Sequence, residues 1–150
     1  MKTLRLTLPL PPGVNNQYVS AGRRRVLSKG AKAFKRAGTS AIRDVLISNP
    51  AAEAFAETLQ GSPFACDLVF FFETPFKRDL DGGLKIALDV LCESLGINDR
   101  HAVSLTLEKR IDPLHPRLEI ELAPLPDWQF DEEYVVLSPP RPRTGEGAGG

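Results

Sequence analysis

The nine residues Phe64-Ala65-Cys66-Asp67-Leu68-Val69-Phe70-Phe71-Phe72 constrain the fold more than any other stretch of the chain. So short, apolar and aromatic a run has the character of a central strand covered on both faces. Glu73-Thr74-Pro75 releases it. Further on, Leu84, Leu88, Leu91 and Leu95 recur at intervals of four, three and four, with Ala87 beside them, which predicts an amphipathic helix over about Gly82 to Leu95. That leucine stripe is core. Between strand and helix lies Phe76-Lys77-Arg78-Asp79-Leu80-Asp81-Gly82-Gly83-Leu84-Lys85, so its charged side chains fall where two elements meet.

The flanking segments complete a small sheet and its helices. Thr3 to Leu8 alternates as a strand with Leu4, Leu6 and Leu8 on one face. The prolines and glycine of Leu8-Pro9-Leu10-Pro11-Pro12-Gly13-Val14-Asn15-Asn16 stop both helix and ladder, which predicts an extended, ordered arm. Arg23, Arg24 and Arg25 follow in a strand or hairpin tip. Ser28 is placed to cap a helix running to about Ser48, with Phe34, Ala37, Ala41, Ile42, Val45 and Leu46 in one buried stripe and Lys29, Lys32, Lys35 and Arg36 on the wet side. Gly38, beside the stripe, permits close packing. Asn49-Pro50 ends that helix, and the alanine-rich Ala51 to Gln60 suggests a short second one. After Gly96, a left-handed stop, Ala102 to Arg110 and Arg117 to Leu122 alternate as strands, Val103, Leu105 and Leu107 against Ser104, Thr106 and Glu108 in the first, with residues 111–116 as their hairpin connection.

The expectation is an α/β (α+β) domain over residues 1–123, a small mixed sheet of about four strands packed against two main helices. Residues 124–150 lose periodicity, are rich in Pro and Gly, and read as a disordered tail in which only Trp128, Phe130 and the stretch Tyr134 to Leu137 are suited to local docking.

At 150 residues and 42% hydrophobic content the chain fills one core. No apolar run reaches the roughly 18 residues a bilayer span needs, and charge and proline interrupt the N-terminus before a signal-peptide core forms, so a cytoplasmic protein without membrane contact is expected. Cys66 and Cys92 have no metal-spaced partners and read as buried free thiols.

The zero net charge hides an asymmetry. Residues 1–50 carry ten Lys or Arg and one acid, whereas residues 51–100 carry four bases and nine acids, and residues 101–150 carry five bases and nine acids. A basic surface for a polyanion beside an acidic pocket for a cation is one reading; solvated basic helix faces are the other.

Asp79 and Asp81, two apart, point their carboxylates to one side of extended backbone, about the spacing at which two acids share a hard cation. Lys85 lies one turn after Asp81. Asp99 is the third candidate, although a helix of about fourteen residues, roughly 20 Å long, separates it from the pair unless the backbone folds back or a second subunit intervenes. An oxygen-only set calls for Mg2+, with Mn2+ as the alternative, and not zinc. Singly, each residue has a plainer role: Asp81 as a helix cap, Asp81 with Lys85 as an ion pair, Asp99 as a solvated loop acid.

The segments Leu8-Pro9-Leu10-Pro11-Pro12-Gly13-Val14-Asn15, Arg25-Val26-Leu27-Ser28-Lys29, Lys77-Arg78-Asp79-Leu80-Asp81 with Lys85, Ala87-Leu88-Asp89 and Gly96-Ile97-Asn98-Asp99, in that order, resemble the RusA family of crossover-junction endodeoxyribonucleases, the Holliday junction resolvases of bacteria and prophages. The resemblance covers most of residues 4–122. It implies a bacterial or phage-encoded homodimer that nicks four-way junctions symmetrically, Asp79, Asp81 and Asp99 as metal-binding catalytic carboxylates, and Lys85 as the essential basic residue. Asn15, Arg23, Arg24, Arg25, Lys29, Lys32, Arg36, Lys77 and Arg78 are the candidates for DNA contact. Two departures stand out: Gly82 where the family often has Asn, and a single carboxylate in Asn98-Asp99-Arg100 where it often has two. A catalytically silent module binding branched DNA is the rival. Asp79-Leu80-Asp81-Gly82-Gly83 also looks like the nucleophile loop of haloacid-dehalogenase phosphatases, but Glu73 to Arg78 intervenes after the strand, Gly83 replaces Thr or Val, and too little chain follows.

Overall fold

The computed structural model describes residues 1–13, 16–129 and 131. In chain order the elements are β1 (Leu4–Leu8), β2 (Tyr18–Ala21), β3 (Arg24–Leu27), α1 (Lys29–Ser48), α2 (Pro50–Leu59), β4 (Phe64–Phe72), α3 (Leu84–Leu95), a 3-10 turn (Asp99–His101), β5 (Ala102–Ile111) and β6 (Arg117–Pro124). The mixed α+β architecture matches the expectation. Four strands form one sheet in the order β1-β6-β4-β5, and β2 and β3 form a separate antiparallel ribbon.

Local chemistry accounts for the helix ends. The Ser28 hydroxyl accepts from the Ala31 amide at 3.1 Å and opens α1, at a worth of about 1 kcal/mol. Asn49 closes α1, its amide donating to the Val45 carbonyl, and its side chain then accepts from Ala51 and Ala52 to open α2, where Pro50 fits the first turn. Gly96 ends α3 at φ +66°. Gly38 is buried, and a Cβ there would sit 3.0 Å from Val90 and 3.3 Å from Leu8, so a glycine lets α1 press on α3 and β1. Ala37, expected in the buried stripe, is exposed, because Ala31, Phe34, Gly38 and Ile42 set the inner face one residue further round.

Leu4, Leu6 and Leu8 of β1, Leu118, Ile120 and Leu122 of β6, and Phe64, Leu68, Phe70 and Phe72 of β4 meet the helices in one core. Burying each large side chain contributes about 1.5–3 kcal/mol, and truncating Phe70 to Ala would cost about 3–5 kcal/mol.

Two expectations about the sheet need correcting. First, β5 and β6 are not a hairpin: β5 runs parallel to β4, β6 antiparallel to its other side, and β4 lies between them. Alternation records which face is wet and carries no information about the neighbour, and the link over residues 112–116 is long enough to pass two strand spacings, about 10 Å. Second, β4 is covered on one face only. Asp67 is exposed on the other, where Phe71 is shielded by the Arg117 guanidinium 3.8 Å from its ring centroid. On β5, Ala102 and Leu107 reach the core while Val103 and Leu105 are exposed at the edge of the sheet. Order also extends past the boundary expected at residue 123: β6 reaches Pro124, and the Leu125 amide donates to the Pro63 carbonyl. The rest of the tail expectation, Phe130 and residues 132–150, lies outside the described residues.

Candidate functional site

Two separate hollows hold Asp79 and Asp99. The first is built where the arm meets the loop after β4 and is lined by Pro12, Gly13, Asn16, Lys77, Arg78 and Asp79. Leaving the sheet, the chain turns through Gly82 N–H to Asp79 C=O (3.3 Å) and Leu84 N–H to Asp81 C=O (3.1 Å). Backbone thereby starts α3 at Leu84, with Gly83 at the cap and no side-chain cap bond, so Asp81 does not cap it and both carboxylates stay exposed. Gln17, 5% exposed, clips arm to loop, its amide donating to the carbonyls of Pro12 and Gly82 at 3.0 Å each. A Cβ on Gly83 would lie 2.5 Å from Pro11 Cγ, so the arm passes directly over the helix start.

Arg78 is turned into this framework. Its guanidinium donates to the Pro11 carbonyl and stands over the Phe72 ring at 5.1 Å, and burial holds its pKa below the usual arginine value. Lys109 reaches in from β5, donating to the Arg78 carbonyl at 2.8 Å and the Pro75 carbonyl at 3.4 Å. Lys77 and Phe76 instead face water, Phe76 at 90% exposure.

The second hollow lies along α3 and is lined by Lys85, Asp89, Cys92, Ile97, Asn98 and Asp99. Gly96 reverses the chain, the Ile97 amide donates to the Cys92 carbonyl, and Asn98 accepts from Arg100 N–H to shape the turn that follows. Asp99 thereby returns beside the helix. Lys85 Nζ donates to Asp89 Oδ1 at 2.9 Å and lies 3.7 Å from Asp99 Oδ2. The Asp89 hydrogen bond, then its charge, with a smaller part from Asp99, raises the Lys85 pKa and keeps the ammonium charged. Cys92 is buried here, and burial followed by the charges of Asp99 and Asp89 pushes its thiol up to about 11.

The fold therefore brings Lys85 to Asp99, and it seats Asp79 in a different hollow. Among the described residues no three His, Cys, Asp or Glu side chains gather as a metal-holding group. Carboxylate oxygens are the right donors for Mg2+ or Mn2+, but Asp79, Asp81 and Asp99 as arranged in one chain do not fit such an ion.

The basic residues are mostly free to meet a polyanion. Arg23 sits in the turn of the β2–β3 ribbon and Arg24 and Arg25 on β3, all exposed, with the Arg25 guanidinium 5.3 Å from the centroid of Tyr18. Lys29, Lys32 and Arg36 are exposed on the first turns of α1. Asn15 lies outside the described residues. Sequence reasoning missed Asp89, Gln17 and Lys109. Asp89 was visible as the residue four after Lys85, but the same spacing backward to Asp81 competed for the lysine. Nothing local marked Gln17 or Lys109, whose partners lie 65 and 31 residues away.

Among the described residues no helix is long and apolar enough to cross a membrane. Wider hollows elsewhere are open grooves, one among α1, α2 and α3 of about 440 Å³ and one on the uncovered sheet face of about 490 Å³. No protein-family model matches the chain, and no curated protein matches it significantly.

Proposed function

We propose that the chain is an endonuclease acting on branched DNA, with a four-way junction as substrate and a homodimer as the acting form. The observation that carries this reading is the return of Asp99 past Gly96 to within 3.7 Å of Lys85, which joins two residues of the nuclease-like set across the length of α3. Lys85 is held charged by Asp89 and Asp99, so its role is electrostatic: an ammonium offsets the negative charge that builds on a phosphodiester during hydrolysis. Mg2+ or Mn2+ is the cation that the resemblance attaches to Asp79, Asp81 and Asp99.

Substrate capture falls to the exposed bases. A two-stranded ribbon is narrow enough for the major groove, and Arg23, Arg24 and Arg25 ride on it without an acid among them. Lys29, Lys32 and Arg36 add phosphate contacts along α1, and Lys77 adds one beside Asp79. A synthetic four-way junction incubated with the protein, with Mg2+ and with EDTA, tests the proposal. Symmetric nicks that disappear in EDTA, in Asp81→Asn and in Lys85→Met are the expected result, and undiminished cleavage by Asp81→Asn overturns the site assignment.

A second reading is favoured by the absence of a three-carboxylate group among the described residues: a module that binds branched DNA without cutting it. It predicts tight junction binding in EDTA and no nicks at any Mg2+ or Mn2+ concentration. In both cases binding weakens steeply with salt through counterion release.

A further inference from the structure

Among the described strands β2 and β3 pair only with each other, and a two-stranded ribbon left alone in water is marginally stable. Its stem is fixed. The Ser28 amide donates to the Gln17 carbonyl at 2.8 Å, and the Gln17 side chain is the clip on Pro12 and Gly82. Beyond the stem the register sorts the side chains into two faces, because directly opposed residues share one. Tyr18, Ser20, Arg25 and Leu27 lie on the inner face, where Leu27 packs on the core and the Arg25 guanidinium stands over the Tyr18 ring. Val19, Ala21, Arg24 and Val26 lie on the outer face.

That outer face is apolar at its centre. Val19 and Val26 stand directly opposite each other at 51% and 36% exposure, and Ala21 beside them is exposed too. Its rim carries one sign of charge. Arg24 follows Val26 toward the tip on the same face, Arg23 sits in the turn, and no Asp or Glu occurs in the chain before Asp44. A partner that fits is therefore anionic at its edges and apolar between them. The major groove of DNA has that arrangement: phosphates along both rims and, on its floor, one apolar group, the C5-methyl of thymine.

We propose that the outer face of the ribbon lies on the floor of a major groove with Val19 and Val26 against thymine methyls, so that this valine pair gives the protein a preference for thymine there. The dimensions agree. A groove about 12 Å wide admits a two-stranded ribbon, and opposed Cβ atoms about 5 Å apart span one to two base pairs at a rise of about 3.4 Å. Valine is also stiff at χ1, so its methyls meet the base with little loss of side-chain freedom. The arginines hold the ribbon down through phosphates, which carry no sequence information, and the valines read the base.

The inference rests on DNA as the partner proposed above but not on cleavage, so binding is measured in EDTA. Two four-way junctions of one sequence with thymine-rich arms are compared by fluorescence anisotropy, one built with thymidine and one with deoxyuridine at every such position, which removes only the methyl. The protein should bind the thymidine junction about fourfold more tightly for each methyl it covers. Val19→Thr combined with Val26→Thr keeps both β-branched shapes and should fold normally by circular dichroism. It should bind both junctions with the weaker affinity and an unchanged dependence on salt. Arg23→Ala should do the reverse, keeping the thymidine preference while the slope of log Kd against log salt falls by about one. Equal affinities of the unaltered protein for the two junctions overturn the proposal, as does a preference that survives the double threonine substitution. Equal affinities beside intact nicking sink this inference alone, a thymidine preference without nicks sinks the nuclease reading alone, and a failure to bind either junction sinks both.

Discussion

Around Asp79 the supporting contacts run to backbone carbonyls: Gln17 bonds those of Pro12 and Gly82, Arg78 that of Pro11, and Lys109 those of Arg78 and Pro75. Around Asp99 they are exposed charges, with Lys85 between Asp89 and Asp99. A carbonyl in a packed loop moves only if the chain moves. An exposed ion pair is screened by salt and reorganises as a side chain turns. The Asp79 hollow is accordingly part of the fold's rigid frame, and the Asp99 hollow is an adjustable arrangement of charge on a helix side.

The sharpest break of that contrast is Gly83→Val. Its branched side chain meets Pro11, and overpacking there should cost about 3 kcal/mol in urea unfolding. An unchanged midpoint would mean that the arm does not press on the helix start. Gln17→Ala comes next. It strips two buried-side carbonyls of their donor and should cost about 2 kcal/mol, with the arm losing amide protection in hydrogen exchange.

Cys66 and Cys92 sharpen the comparison through pH. Burial pushes their thiols from an ordinary value of 9.0 up to about 12 and about 11. The folded state therefore holds these protons more tightly than the unfolded chain does. Their contribution is complete below pH 9 and is lost as pH rises through the folded values, so stability should fall across that alkaline window. Cys92 should also alkylate slowly at pH 8, and faster in Asp89→Asn, which removes one of the charges holding its thiol up.

The smallest effect belongs to the charge-held hollow. Asp89→Asn should leave thermal stability unchanged while the Lys85 titration, followed by NMR at Cε, moves down toward the ordinary lysine value. The same substitution should narrow the alkaline limit of junction cleavage, if nicking depends on the ammonium. An unmoved Lys85 titration would mean that Asp89 is not its main partner.

Much of this was legible in local chemistry. Ser28, Asn49 and Gly96 announce their helix boundaries because a cap is decided within a few residues, and the leucine spacing of α3 fixes its inner face. Sheet order was not legible, because Val103 and Leu105 alternate with polar residues whether or not a helix covers them. The start of α3 was misplaced for a related reason: Asp81 has the chemistry of a cap, but the turn bond from Leu84 to its carbonyl uses the backbone in place of the side chain. At the site, Lys85 had acids four residues away on both sides, and the return of Asp99 depends on the direction the chain takes after Gly96. The arm's closure by Gln17 is a tertiary contact without a local trace.

Among the described strands β1 is hydrogen-bonded only to β6, with Leu4 opposite Leu122. During synthesis β4, α3 and β5 emerge and can pair while β1, made earliest, still lacks its neighbour. Its backbone lacks a strand partner until residues 117–124 have been added, whereas its leucines meet α1 earlier. A nascent chain halted before β6 therefore carries an unpaired β1 edge for chaperones or proteases to find.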